Sequence, residues 1–254
     1  MGLFSGIHPD HAAAARVAQA YDDERIVATL VEAQSRWRWD GVLPPLAQQL
    51  TAACLAGAAR RGLADRRLRV CDFGGGLGGG RAVLAAVLGP AVELDWDVVE
   101  TPALARAGNA RFAGPGLRFH GSLDALDDRE HDIIIVSGVL QYLAQPAETF
   151  ARLARRPHHH MVMNRFPIRR SAAAAVRTDV CTVQDLGLLH AGVSVPHWCF
   201  SEDRWRGVVD ATHDTVLRWT DGFDGCHPLP DGSEVSFVGA LLARRGPASS
   251  AAAP

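Results

Sequence analysis

Lysine is missing altogether: all 26 basic residues of this 254-residue chain are arginine. That absence excludes an internal lysine Schiff base and the phosphate-gripping lysine of a Walker A loop, so any chemistry here rests on other groups. The five cysteines, Cys54, Cys71, Cys181, Cys199 and Cys226, are odd in number, widely spaced and outside any CxxC pair. They read as small buried hydrophobes of a reduced protein, not as a disulfide framework or a zinc knuckle. No apolar run approaches the length of a membrane span, and residues 1–10 carry no basic segment followed by an apolar core. Cytoplasmic residence without a membrane partner is the default expectation. Acids outnumber bases by 28 to 26, a net charge of −2 that gives no global reason to bind nucleic acid.

What is present is a globular composition, 48% hydrophobic and 21% charged, enough for one substantial core with an added cap. Residues 10–62 read as helical, with apolar spacing over 22–35 and again over 44–61. Between those stretches lies Arg36-Trp37-Arg38-Trp39, whose rings suit either ligand stacking or the closing of a helix junction. From residue 67 short apolar strands alternate with helices: strands over 68–73, 94–99, 117–120, 132–136 and 159–164, helices over 78–88, 101–110 and 146–155. The run Ile133-Ile134-Ile135-Val136 is apolar on both faces, as a central parallel strand requires. A helix capped by Ser201, two strands over 216–219 and 235–243, and a Gly/Asp/Pro-rich connection over 221–232 complete the pattern. The expected domains are a helical cap over 1–62, an α/β domain over 63–246 and a flexible tail over 247–254.

The strongest local signal is Val70-Cys71-Asp72-Phe73-Gly74-Gly75-Gly76-Leu77-Gly78. A strand delivers Asp72 to its carboxyl end, and the glycines then let the backbone turn and approach a ligand before a helix begins. Without a lysine, two ligand types fit: a dinucleotide, or an adenosine derivative lacking pyrophosphate. Glu100, after Val98-Val99, stands where an acid accepts hydrogen bonds from ribose hydroxyls; Asp95 and Asp97 compete for that role.

Taken together, Asp72-Phe73-Gly74-Gly75-Gly76-Leu77-Gly78, Glu100, and Ser137-Gly138-Val139-Leu140-Gln141-Tyr142 resemble the class I S-adenosylmethionine-dependent methyltransferases. The likeness is greatest to a bacterial group of small-molecule methyltransferases carrying FGGGLG and SGVLQYL motifs. The resemblance implies an α/β, Rossmann-like open seven-stranded sheet with an antiparallel last strand. It implies S-adenosylmethionine as cofactor and S-adenosylhomocysteine as product. Asp72, Gly74, Gly76 and Gly78 would approach the methionine portion and ribose, Glu100 the ribose hydroxyls, Ser122 and Leu123 the adenine, and Gly138 and Leu140 the sulfonium.

The acceptor is expected to be a small molecule methylated on O or N, with polar natural products and sugar-derived metabolites as the guess; nucleic acid is not expected, and the oligomeric state is open. Gln141, Tyr142, Asn164, Arg165 and Trp37 are the candidate substrate contacts, Arg165 suiting an anionic acceptor. His190, His197 and Tyr142 are the candidate catalytic groups, the histidines on a lid over 188–200. His158-His159-His160 alternate faces in a strand and do not converge on a metal, so metal-independent chemistry is favoured. The alternatives are a C-methyltransferase, a nicotinamide-dependent oxidoreductase, and a non-catalytic adenosyl-binding regulator.

Overall fold

A computed structural model of the chain describes residues 3–18, 24–38, 67–171, 175–187 and 193–245. Five parallel strands form its centre: β2 (Arg67–Phe73), β3 (Glu93–Val99), β4 (Leu117–His120), β5 (His131–Ser137) and β6 (His158–Arg170). β11 (Glu234–Arg244) runs antiparallel along β6, and its far edge carries β9 (His213–Thr220) and then β10 (Cys226–Pro228). Across the sheet the order is β9/β10, β11, β6, β5, β2, β3, β4, seven strand positions with the last strand inserted antiparallel beside β6. β5 has no exposed residue in its burial pattern, and its isoleucines pack into cores on both faces.

Helices cover the sheet where the chain crosses over. They are α3 (Gly79–Leu88), α4 (Pro102–Arg111), α5 (Pro146–Arg155) and α6 (Glu202–Asp210). Thr101 caps α4 by accepting from the Leu104 N–H, with Pro102 at the first turn. Ser201 does not cap α6 as expected: its hydroxyl donates to the Val176 carbonyl instead.

The amino-terminal region departs from an all-helical reading. Residues 4–8 form β1 (Phe4–His8), which pairs with β7 (Val180–Asp185), itself paired with β8 (Ser194–Cys199), in a separate antiparallel sheet. α1 (His11–Ala15) is a single short turn of helix, whereas α2 (Glu24–Arg36) matches the apolar spacing. The helix expected over 44–61, Cys54, Trp39 and His190 lie outside the described residues. Of the other cysteines, Cys71, Cys181 and Cys199 are buried and free, whereas Cys226, on the edge strand β10, is free but exposed and not the buried hydrophobe expected.

The crossover from β4 to β5, residues 121–130, contains no α-helix, only one 3-10 turn at Leu123–Ala125. Charge fills the space on that face. Asp95 and Asp97, each 1% exposed, are held by arginines from three segments. Arg67 reaches Asp95 at 2.7 Å, Arg118 reaches Asp97 at 2.8 Å, and Arg129 bonds to both carboxylates. His120 and His131 add contacts to Asp97 at 2.9 and 3.2 Å. These partners remove Asp95 and Asp97 from competition with Glu100. Burial works to raise the Asp97 carboxyl, but hydrogen bonds from His131, His120 and Arg118 outweigh it and hold it at about 2.

Because Arg129 serves two buried carboxylates at once, Arg129→Met is expected to destabilise the fold by on the order of 3 kcal/mol in urea unfolding. The folded state keeps Asp97 more acidic than the unfolded chain does, so its contribution is complete above the ordinary carboxylate range. That contribution is lost as the pH falls from about 4 through about 2, and Asp97→Asn should flatten the stability curve in that window.

Candidate active site

β2, β3 and β5 end at one level, with Phe73 opposite both Val99 and Val136. The glycine loop therefore opens at the same edge as Glu100 and Ser137. Within the loop Gly74, Gly76 and Gly78 have φ of 77°, 58° and 81°, the left-handed region that side chains other than glycine resist. A Cβ on Gly74 would fall 2.6 Å from the Val139 side chain, whereas one on Gly76 would enter open space. The loop is thus closed against the post-β5 turn on one side and open over Gly76, where a ligand can meet the backbone.

Glu100 is fixed by two backbone N–H groups: Gly76 donates to Oε1 at 3.2 Å and Thr101 to Oε2 at 2.7 Å. Its carboxylate lines a cleft of about 290 Å³ together with Phe73, Gly74, Ser122, Leu123, Val139 and Leu143, near the lower end of the ~300–1,000 Å³ usual for small-molecule sites. Ser122 stands at the mouth with its hydroxyl accepting from Ala125 N, while nearby Asp124 pairs with Arg152. Leu140 is core, 1% exposed; its neighbours Val139 and Leu143 face the cleft. Gly138, φ 62°, brings its backbone against Arg165.

Asp72 lies beneath the loop, 5% exposed, where the Trp96 indole donates to Oδ2 at 3.1 Å. Burial pushes its carboxyl up to about 7; the indole bond opposes the shift and the charge of Glu100 adds to it.

Beyond the cleft, the 138–143 turn is gripped by the small sheet. His11 Nε2 donates to the Tyr142 carbonyl at 2.9 Å, Trp198 to the Leu143 carbonyl at 3.1 Å, and the Tyr142 hydroxyl to Gln184 at 2.9 Å. Burial pushes the Tyr142 phenol up to about 12. His197 does not ride on an exposed lid. It is an inward residue of β8, fully buried, with its ring 4.9 Å from Phe4, 5.5 Å from Tyr142 and 6.3 Å from Phe237. The alternation of Val195, His197 and Cys199 turns all three inward, and burial drives His197 down to about 3, a neutral ring.

Asn164 and Arg165 stand at the carboxyl side of β6, Asn164 opposite Ser137. Gln141 donates to the Arg165 carbonyl at 3.3 Å. The Arg165 guanidinium makes two bonds to Asp224, of 2.6 and 2.7 Å, and lies over the Phe223 ring. With its fork already filled by a carboxylate, it is not the open anion receptor expected of it. Trp219, Asp221, Asp224 and Gln184 are polar members of this region that sequence reasoning missed; the Gly/Asp-rich composition of 221–225 was the signal for the arch that carries two of them. Trp37 directly follows Arg36, the last residue of α2, and is half-buried, and Gln34 of that helix approaches Gly79 at the start of α3.

Among the described residues, no three histidine, cysteine or acidic side chains are gathered to hold a metal ion. His158 instead shares a hydrogen bond with His213 at 2.9 Å, and His159 faces Glu130. A second cavity of about 270 Å³ lies under α6, with Phe166, Trp205, Val209, Val238 and Leu242 in its apolar lining. Glu202, Asp210 and Gly239 also line it, but it includes neither the 74–78 glycines nor Glu100.

No protein-family model matches the sequence, and no curated protein matches it. Solved structures do. The N-terminal domain of EvdMO1, in the presence of S-adenosylhomocysteine and D-fucose, is similar with a TM-score of 0.54 at 13% identity, over 89% of this chain and 100% of that one. Human N-acetylserotonin methyltransferase in complex with S-adenosylmethionine gives 0.51 at 16% identity over 89% of this chain, which spans 57% of that protein's length. The [4+2]-cyclase SpnF gives 0.51 at 12% identity over 95% of this chain and 98% of that one. At such identities the likeness is one of fold, and the chain has the class I fold of the S-adenosylmethionine-dependent methyltransferases.

Proposed function

We propose that the chain is an S-adenosylmethionine-dependent methyltransferase that methylates an O or N atom of a small molecule and releases S-adenosylhomocysteine. The observation that carries this reading is one edge holding both the left-handed glycines of the 74–78 loop and Glu100, which lines the cleft and whose carboxylate accepts from Gly76 N–H. Gly74, Gly76 and Gly78 let the backbone come close to the cofactor, and Glu100 accepts from its ribose hydroxyls. Ser122 and Leu123 border the adenine, Gly138 lets Arg165 pack close to the sulfonium side, and Leu140 supports the turn from the core. A dinucleotide-dependent oxidoreductase would use a similar loop, but its doubly wound sheet has the order 3-2-1-4-5-6. The antiparallel β11 between β6 and β9 supports the methyltransferase reading.

When bound, the cofactor supplies a methyl group already activated on sulfur, so the protein's work is orientation and exclusion of water. Tyr142, Gln141 and Asn164 stand on the acceptor side of Gly138. His197, enclosed by Phe4, Tyr142 and Phe237, is assigned as a positioning residue for the Tyr142 turn and not as the base. His190 remains a candidate base by sequence alone. The fold also carries a [4+2]-cyclase, so turnover decides between methyl transfer and binding alone.

Calorimetry with S-adenosylhomocysteine and NAD tests the cofactor: the former is expected to bind and NAD to fail, and the reverse would overturn the reading. Glu100→Ala should weaken S-adenosylhomocysteine by roughly 1.5–3 kcal/mol through loss of charge-assisted ribose bonds. Unchanged affinity in a folded variant would remove Glu100 from that role.

Asp72 adds a pH dependence. Its carboxyl titrates near 7, and a cationic amino group of the cofactor favours the ionised form. Affinity for S-adenosylhomocysteine should therefore rise from pH 6 to about pH 8 with release of a proton, read by calorimetry in buffers of different ionisation enthalpy. Asp72→Asn should abolish the proton release. In the free chain the same raised value favours the folded state below about pH 4, an advantage lost as the pH rises through about 7.

A further inference from the structure

Two buried polar atoms at the carboxyl side of β6 and β9 have no hydrogen-bond partner among the described residues: Asn164 Nδ2 and Asp221 Oδ2. Their residues are 1% and 2% exposed. Proteins rarely leave such groups unmatched, because desolvation costs free energy that nothing returns until a partner arrives. The chemical identity of each is secure. The Trp219 indole can only donate, and it donates to Asn164 at 2.9 Å, so that atom is the amide oxygen and the open one is the NH₂ group. Asp221 Oδ1 accepts from Phe223 N at 2.9 Å, which leaves Oδ2 as the open acceptor.

The fold brings the donor and the acceptor to one face. Trp219 and Asp221 are two residues apart along the edge strand and its continuation, and alternation puts them on the same side. The Trp219 ring crosses Gly239, where a Cβ would fall 2.1 Å from it, to reach Asn164 on the far side of β11. Asn164 and Arg165 together oppose Gly239, because the β6–β11 register slips between Val238 and Ala240. In this bulge Arg165 has φ 51°, the one non-glycine residue with positive φ among the described residues. Bulges and strained backbone of this kind re-aim side chains next to functional sites. The Arg165 carbonyl holds Gln141 of the post-β5 turn, and its guanidinium holds Asp224 of the 221–224 arch.

We propose that Asp221 and Asn164 bind the methyl acceptor, and that this acceptor is an uncharged, hydroxyl-rich molecule such as a polyol or sugar ring. One hydroxyl donates to Asp221 Oδ2, and a neighbouring oxygen accepts from Asn164 Nδ2. The assignment rests on the methyltransferase reading. An anionic acceptor would meet Asp221 and Asp224 with the only adjacent cation, among the described residues, already in a two-bond ion pair. An ammonium would satisfy Asp221 but offer nothing to Asn164. A diol supplies both a donor and an acceptor on adjacent atoms. Both protein atoms are shielded from bulk water, so these bonds form in a dry environment where they are strong.

The test pairs stability with solvent mapping. Asp221→Asn keeps the acceptor for Phe223 N and removes the carboxylate charge; it should leave the melting temperature unchanged or higher, because a ligand-binding group is a stability cost. Asp224→Asn, which breaks the Arg165 pair, should lower it. Crystals of the chain with S-adenosylhomocysteine, soaked separately in ethylene glycol, acetate and methylammonium, should show glycol oxygens within hydrogen-bond distance of Asp221 and Asn164, and none there in Asp221→Asn. A melting temperature for Asp221→Asn as low as for Asp224→Asn would make the carboxylate structural and overturn the proposal. So would acetate or methylammonium taking the place of glycol, or glycol bound elsewhere only, as an adventitious additive. Failure of S-adenosylhomocysteine to bind would instead refute the cofactor reading, and glycol soaks of the free chain would still report on the two atoms.

Discussion

Parallel pairing in register is the constraint on which the site depends. β2 is bonded on one side to β3 and on the other to β5, and all three run out at the level of Phe73, Val99 and Val136. Whatever follows each strand is therefore delivered to one line: the glycine loop, Glu100, and the turn beginning at Ser137. The backbone bonds of Gly74 to the Val99 carbonyl and Gly76 to Glu100 are direct consequences. They stitch the loop to the neighbouring strand end before any ligand is present. A one-residue slip of β3 against β2 would turn Glu100 to the opposite face and bury its charge.

The same sheet has a weak place, the face of β3 left without a helix between β4 and β5. Two carboxylates at alternate positions of β3 are tolerable there because arginine presents a planar fork that serves several oxygens at once, which a lysine ammonium does not. The exclusive use of arginine thus has a structural counterpart at Asp95 and Asp97, and another at the two-bond pair of Arg165 with Asp224. Burying those carboxylates without such partners would cost several kcal/mol per ion.

How much was legible in the sequence follows from contact range. β2 to β5, α3, α4 and α5 were readable because each is set by its own apolar run, cap or glycine within a dozen residues. Within the 74–78 loop the positive φ angles fall at Gly74, Gly76 and Gly78, the three glycines that the resemblance sets against a ligand. The small sheet was not readable: its strands are short, and pairing Phe4 with Gln184 depends on contacts across most of the chain. For the same reason His197 was expected on a lid; its burial comes from Phe4 and Phe237, neither near it in sequence. The bulge at Asn164 and Arg165 is a register event between β6 and β11, invisible to a pattern read along one strand.

The two halves of the site are accordingly built by different means. The proposed cofactor half uses neighbouring strand ends and local backbone, so its geometry is tied to the central sheet. The proposed acceptor half is assembled from a bulge, an edge strand and an arch, joined by Trp219 to Asn164 and Asp224 to Arg165. Edge elements open at lower free energy than central strands. A fold divided in this way can hold one cofactor geometry fixed while the arch and bulge change, because substitutions there do not disturb the register of β2, β3 and β5. Gln141 and Tyr142 connect the halves: the turn that borders the cleft through Val139 and Leu143 also holds the Arg165 carbonyl and Gln184.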